Sequence, residues 1–484
     1  MQYGKIILIA IDTLSVDHLG CYGYDVPETP TTPFLDSLAE SGVIFRRHYA
    51  TDVPTPPSFT SLFCGNRGIR HGILGFKNKA SEYNCRTPIL AECFSKKGFR
   101  TGMISNLLYP CPWLTKGFKD IYPPGGRFQG GTAEEVTDKA ISMLKNYYED
   151  DFLLFVHHWE PHVPYMRRSK AEYRKMFPAE EYRESSPDMK YLEENSFLKR
   201  FYDRVREKNG DPLDPGDTLA LYDANIRYAD DYVEKLYNEL EELGIADETL
   251  IVITSDHGEA FGEYGFWDHW SSYRNISQLP LIFAGPDIKH AEVQDYTQNI
   301  DVLPTLLELA DIKVPKGLDG KSMVPLLDGE QNGFRSEVVV NSDGTVVQRM
   351  FVKDEYALVY TPARPVWDHI KEYELFNLPE DPDQTNDISR EEKDKTSKMR
   401  IMLRDWEAEN LNGKPDPLWL CVYRGGWMWE SLCRLLEPSE LTATLRKYPE
   451  LRRILTTTVQ VSKVSLQKRL STPFFKPRKS GRTG

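Results

Sequence analysis

The sequence predicts an α/β fold: a mostly parallel sheet sandwiched by helices, followed by a smaller C-terminal α+β subdomain. Three observations predict it. Up to about residue 335, short β-branched runs alternate with helical patterns. The runs are continuously apolar rather than alternating, as in strands buried on both faces. After Arg335 the rhythm changes to closely spaced short strands separated by turn residues.

Element by element, Ile6–Ile11 reads as a buried strand and Thr32–Ser41 as a helix (Phe34, Leu35, Leu38) ended near Gly42. Pro88–Lys97 reads as a helix closed by Gly98, and Thr101–Ser105 as the next strand. Ala133–Tyr148 is a helix and Phe152–His157 a buried strand. Leu219–Leu243 is a long amphipathic helix with Gly244 past its end, and Leu250–Thr254 another apolar strand. Beyond Arg335, Glu337–Asn341, Val346–Val352 and Tyr356–Tyr360 read as antiparallel strands, with Asp343-Gly344 as a hairpin turn. A helix carrying Met402, Leu403 and Trp406 follows. The expected division is 1–335 for the catalytic α/β domain and 336–415 for the antiparallel-sheet subdomain. An aromatic-rich extension (Trp419, Tyr423, Trp427, Trp429) and a basic tail would occupy 416–484.

The 484 residues carry 60 Lys+Arg against 73 Asp+Glu, a net charge of -13, with 40% hydrophobic and 12% aromatic residues. That composition supports a large core and excludes wholesale disorder. No apolar run approaches the ~20 residues a membrane-spanning helix needs. Ile6–Ile11 is too short for the core of a signal peptide, so a soluble, cytoplasmic protein is expected. From Arg446 onward there are eleven Lys/Arg and one acid, Glu450. An acidic body of this kind speaks against general nucleic-acid binding. The tail reads first as a solvated basic terminus, and its partner is not legible. Seven cysteines, an odd number without a C-x-x-C pair, fit free thiols in a reducing compartment rather than a disulfide framework or zinc site.

Sheets of this kind bind ligands beyond the carboxyl ends of their strands. The residues leaving the strands here are Ile11-Asp12-Thr13, Ile104-Ser105-Asn106, His157-His158 and Ser255-Asp256-His257. Taken singly, Asp12 could cap a helix and Asp256-His257-Gly258 could be a turn. Converging on one sheet edge, Asp12, Asp256 and His257 are candidate ligands for a divalent cation. In Val53-Pro54-Thr55-Pro56-Pro57-Ser58, the prolines mark the first turn of a helix. Locally, Thr55 reads as an ordinary N-cap. The functional alternative is an anion site at the helix N-terminus with a hydroxyl that a metal makes nucleophilic.

The ordered motifs decide between these readings. Asp12-Thr13-Leu14, Asp17-His18-Leu19-Gly20 and Thr31-Thr32-Pro33-Phe34-Leu35-Asp36 are followed by Glu160-Pro161-His162-Val163-Pro164-Tyr165 and Ser255-Asp256-His257-Gly258-Glu259. Later come Gln298-Asn299-Ile300-Asp301, Asp319-Gly320-Lys321-Ser322 and Tyr373-Glu374-Leu375-Phe376-Asn377. Running in order across about residues 4–410, the set resembles the sulfatase family of the alkaline phosphatase superfamily. The resemblance implies an alkaline-phosphatase-like sheet with a smaller C-terminal subdomain.

The departures from sulfatases carry the functional expectation. Aligning on Pro57-Ser58 puts Thr55 where sulfatases carry the residue converted to formylglycine, and Phe59 where they carry arginine. No formylglycine is expected, so the threonine hydroxyl must attack as it stands. The two lysines that contact sulfate fall on Asn106 and His269, and an acidic ligand position falls on Thr13. These features resemble the phosphodiesterase and phosphonate-monoester-hydrolase branch. The resemblance implies one divalent metal (Mn, Zn or Ca) on Asp12, Thr55, Asp256 and His257, with Asn106 and the helix N-terminus on the substrate oxygens. His162, and then His269, would protonate the leaving oxygen. Asp223, Asp230 and Asp231 have no His four residues on, which favours one metal over two, and the Asp230-Asp231 pair reads as a solvated helix face. Of His157 and His158, one is expected to face the core; His71 is expected to be structural or to lie just behind the site. The expected partner is a small anionic ester, with self-association left open. The alternatives are a sulfuric ester hydrolase, a phosphoryl-group transferase and a catalytically silent anion-binding scaffold.

Overall fold

A computed structural model describes residues 2–451 except 77, 127–129, 169, 186–188, 331–332, 365, 425–437 and 450. Trp427, Trp429 and the basic tail beyond Leu451 lie outside the described residues.

The main sheet has eight strands in the order Ala291–Val293, Val43–Phe45, Leu281–Ala284, Thr249–Thr254, Lys5–Ile11, Phe152–His158, Arg100–Ile104 and Asp120–Tyr122. Only Leu281–Ala284 runs antiparallel to its neighbours. The sheet is apolar on both sides because it is covered on both sides. Ile7, Ile9 and Ile11 face one core, where the helices Ala133–Tyr147 and Pro215–Glu242 pack. Ile6, Leu8 and Ala10 face the other, under Thr55–Cys64, Leu90–Lys97 and Val302–Leu309. This is why the sequence shows continuous apolar runs rather than alternation. Each of these isoleucines, and Leu8, contributes about 1.5–3 kcal/mol when fully buried.

The parallel register aligns the chemistry. Ile11 pairs with His158, and Ala10 with both His157 and Thr254. Strands ending in Asp256, Asp12, His158 and Asn106 are therefore four consecutive neighbours.

The smaller sheet has five strands, in the order Tyr373–Asn377, Tyr356–Ala363, Val347–Lys353, Glu337–Asp343 and Asp52–Val53. The strand Tyr373–Asn377 was not anticipated as a strand. The helix Lys393–Leu411 covers one face through Met399, Leu403 and Trp406, while Met402 is exposed. The pairing of Val53 with Ser342 ties the residues just before Thr55 into this second sheet.

One expectation needs correction. Asp230 is not on a solvated face: it is fully buried and accepts the Phe34 and Leu35 amides, each at 2.9 Å. It caps the helix Pro33–Ser41 from the side. Asp231 is also engaged, by Arg227 at 2.7 Å and the Tyr173 hydroxyl at 2.9 Å. The segment 167–217 sends Phe177, Tyr182, Leu198, Phe201 and Tyr202 into the main core.

Candidate active site

Asp12 leaves its strand into a tight turn. Thr13 has φ +57, a left-handed conformation costly for a β-branched residue. The turn is over-determined: the Tyr222 hydroxyl donates to the Thr13 carbonyl at 2.5 Å and accepts the Ser15 amide at 3.0 Å. The Thr13 amide donates to Asp256 Oδ1 at 3.2 Å, and the Leu14 amide to Ser255 Oγ at 3.1 Å. On the opposite side, Gly258 is required because a Cβ there would meet the Asn275 carbonyl oxygen at 2.1 Å.

These turns bring Asp12, Asp256 and His257 together. All three are buried, with one potential ligand atom from each lying within 4.8 Å of the others. Asp12 Oδ1 and Oδ2 and Asp256 Oδ2 are buried without a hydrogen-bond partner. Burial first, then the Asp256 carboxylate, pushes Asp12 well above the usual carboxylate range. Two close, orphaned carboxylates are costly unless a cation joins them. The donor set of two carboxylates and one imidazole suits a divalent ion. His257 is oriented for this, since Nδ1 faces the Gly258 carbonyl at 3.0 Å, which fixes the hydrogen there and frees Nε2. Nε2 lies 3.2 Å from Asp256 Oδ2 and 3.0 Å from Thr55 Oγ1.

Thr55 is the first residue of the helix Thr55–Cys64, and its side chain is buried. Ser58 Oγ, one turn on, donates to the Asp256 carbonyl at 2.6 Å and locks the helix start to the strand end. The anion site expected at this helix N-terminus has fewer donors than a helix start usually offers. Pro56 and Pro57 have none, and the Ser58 amide already donates to the Pro54 carbonyl at 3.1 Å. This helix start therefore offers an anion the Thr55 amide alone from its first turn.

His269 stacks on His257, with centroids 4.3 Å apart, and His162 approaches His269 at 5.1 Å. Burial holds both imidazoles well below their ordinary value. His162 Nδ1 lies 2.6 Å from the Val163 carbonyl, so its hydrogen is there and Nε2 is an acceptor at rest. His269 Nδ1 contacts Glu259 Oε1 at 3.0 Å. Burial pushes Glu259 up to about 8, and its carboxyl holds the His269 ring in place through Nδ1. Asn106 stands one strand further along: it follows Ser105, whose Oγ pairs with His157 Nδ1 at 2.9 Å. His157 Nε2 in turn lies 3.3 Å from Asp12 Oδ2. Asn106 is buried, with Oδ1 unpartnered.

The structure thus gathers Asp12, Thr55, Asp256, His257, His162 and His269, with Asn106 reached through Ser105 and His157. His71 is structural, accepting the Ile73 amide at 3.1 Å and meeting Ser61 Oγ at 2.9 Å. Sequence reasoning missed three residues. His157 reaches Asp12, and burial lowers it to about 4. Glu259 lay inside a quoted motif, but its hold on His269 depends on a fold-back that spacing does not reveal. Arg168 donates from Nε to the His162 carbonyl at 2.7 Å, lies 5.8 Å over the Trp159 ring and acts electrostatically on Asp12. It falls in the 167–217 segment, where no motif pointed to it.

The Sulfatase family model matches residues 5–312, most of the chain and every residue of this site. The chain belongs to the sulfatase family. A second model, for the C-terminal region of N-sulphoglucosamine sulphohydrolase, matches residues 262–409. The chain is 26% identical to a multifunctional alkaline phosphatase superfamily protein, PehA, of Trinickia caryophylli, with 70% of this chain and 80% of that protein covered. It is 23% identical to an N-acetylglucosamine-6-O-sulfatase of Bacteroides thetaiotaomicron, covering 87% of this chain and 89% of the relative. Among solved structures, a phosphonate monoester hydrolase from Silicibacter pomeroyi superposes with a TM-score of 0.69 at 18% identity, over 84% of this chain and 95% of that one. These similarities agree with an α/β sulfatase fold and a sulfatase-superfamily ester hydrolase. No helix among the described residues is long and apolar enough to cross a membrane.

Proposed function

We propose that this sulfatase-family member hydrolyses phosphodiesters or phosphonate monoesters through a covalent phosphothreonine at residue 55. The observation that carries the reading is Thr55 Oγ1 at the helix start, 3.0 Å from His257 Nε2 and beside the orphaned carboxylates. A divalent cation (Mn, Zn or Ca) held by Asp12, Asp256 and His257 would neutralise both acids and favour the ionised form of a neighbouring hydroxyl. Thr55 Oγ1 forms a bond to phosphorus while the bond to the leaving oxygen breaks. That oxygen takes a proton from His269 or His162 once that imidazole has itself been protonated. Water then attacks phosphorus and frees Thr55. Asn106 and the Thr55 amide supply donors to the oxygens that stay on phosphorus. Neutral Asn106 and His269, in place of two lysines, support phosphorus over sulfur. The multifunctional relative is compatible with this breadth.

Sulfuric ester hydrolysis is the second reading, favoured by the relative named as a sulfatase. Matched aryl phosphodiester and aryl sulfate substrates separate the two. The proposal expects higher kcat/KM on the phosphorus ester, and a loss of at least about a thousandfold in Thr55→Ala with metal content and fold retained. Sulfate turnover exceeding phosphodiester turnover reverses the ranking, and an active Thr55→Ala enzyme removes the nucleophile.

A further inference from the structure

A cavity of about 180 Å³ lies beside the helix that Thr55 begins, and none of its described lining residues belongs to the gathered catalytic set. One wall is aromatic: Tyr83 and Trp113 lie nearly parallel, with centroids 6.0 Å apart and planes 16° from each other. The rim is basic, formed by Arg86, Lys96 and Lys116. Glu92 is the one acid among the described lining residues, and both its oxygens are committed. Oε1 meets Lys116 Nζ at 2.9 Å, and Oε2 accepts the Ile89 amide at 3.2 Å. Arg86 and Lys96 make no ion pair among the described residues.

Three bases against one acid make this a positive cavity on a chain whose net charge is -13. A local excess of that sign concentrates anions. The aromatic wall adds a flat face on which an apolar ring can stack. Size sets the class further. A cavity of about 150 Å³ takes benzene, so this one, at about 180 Å³, admits a single ring whose charged group reaches the rim. The cavity is also wired to the Thr55 helix. Trp113 Nε1 donates to Thr60 Oγ1 at 2.9 Å, and Thr60 Oγ1 donates to the Pro56 carbonyl at 2.6 Å. A ligand on Trp113 therefore stands two hydrogen bonds from the residue that follows Thr55.

We propose that this cavity is a second binding site, separate from the catalytic one, for a small ring-bearing organic anion. The ring lies on Tyr83 and Trp113, and the anionic head is held by Arg86 and Lys96. The aromatic wall selects against inorganic anions, which have no ring to stack. The bases select against neutral aromatics, which bring no charge. Binding here is independent of which ester is hydrolysed at Thr55.

The probe is phenylphosphonate, and the readout is lysine acetylation of the full chain, mapped by mass spectrometry. None of the gathered catalytic residues is a lysine, so occupancy of that site leaves the readout unmoved. Saturating phenylphosphonate should slow acetylation of Lys96 severalfold. Lys97, the next residue and paired with Asp311, should be unaffected and serves as the internal reference. Inorganic phosphate and benzyl alcohol at the same concentration should each protect Lys96 much less. Thr55→Ala should show the same protection as the unsubstituted protein, which separates this site from the fate of the proposed nucleophile. Arg86→Ser, at an exposed side chain, should weaken the protection, and Trp113→Leu should erase the advantage of phenylphosphonate over phosphate. Lys96 acetylated at the same rate with and without phenylphosphonate, equal protection by inorganic phosphate, or undiminished protection in Arg86→Ser overturns the proposal.

Discussion

Two buried acidic clusters lie on either side of Tyr222 and are built to opposite ends. In one, Asp223 accepts His18 Nδ1 at 2.6 Å and the hydroxyls of Tyr24 and Tyr182, each at 2.7 Å. Every oxygen of that carboxylate is used, and a histidine supplies the counter-charge. In the other, Asp12 and Asp256 lie together with three carboxylate oxygens unpartnered. Both clusters touch the same tyrosine: its ring meets His18 at 4.7 Å and its hydroxyl holds Thr13. The first cluster is complete without a ligand and serves stability. The second is incomplete as a protein structure, and its incompleteness is what a cation site requires. A buried carboxylate is therefore informative through its unfilled valences rather than through burial alone.

The sharpest break of this comparison is Asp223→Ala. It should cost about 3–5 kcal/mol of stability, because His18, Tyr24 and Tyr182 lose their common acceptor. Denaturant unfolding reads this directly. Metal content should be unchanged, and a loss of metal on this substitution would mean the two clusters are one.

How much of this was legible in the sequence follows from what sequence periodicity records. Strand identity and the gathering of Asp12, Asp256 and His257 at one edge followed from continuous apolar runs with polar exits. Asn106 was placed at the same edge for the same reason. Side-chain facing was not legible. His157 points at Asp12 because of strand register, and Asp230 is buried because the helix Pro33–Ser41 packs its amides against it, which the acid pair alone cannot show. The two prolines after Thr55 signalled a helix start correctly, yet they also remove the amides that an anion site there would use. The strand Tyr373–Asn377 is hard to read from sequence because Leu375 and Phe376 are adjacent apolar residues that break a clean alternation.

Asp12→Asn should act in the opposite sense to Asp223→Ala. Replacing one of two repelling, desolvated carboxylates should stabilise the metal-free protein by on the order of 1–2 kcal/mol. It should abolish the added stability that Mn confers on the unsubstituted protein, as thermal midpoints with and without metal would show. A destabilised metal-free variant would mean that Asp12 is satisfied as it stands.

The smallest expected effect is a pH dependence of the closed cluster. Burial lowers His18, but the Asp223 carboxylate outweighs it, and the folded value ends above the ordinary one. Asp17 and Glu263 also face this imidazole and act in the same direction. The stability contributed by protonated His18 is then fully present below about pH 6.5, its unfolded value, and is lost as pH rises through the raised folded value. Unfolding free energies across that window should fall for the unsubstituted protein and stay flatter for His18→Gln.

The central claim is that Thr55 itself becomes esterified to phosphorus. Acid-quenching the Mn-loaded enzyme during turnover of an aryl phosphonate monoester, followed by peptide mapping, tests it most directly. A phosphonyl adduct on Thr55, absent in Thr55→Ala, is the expected result. Turnover with Thr55 never modified, or with the adduct on another residue, would contradict it.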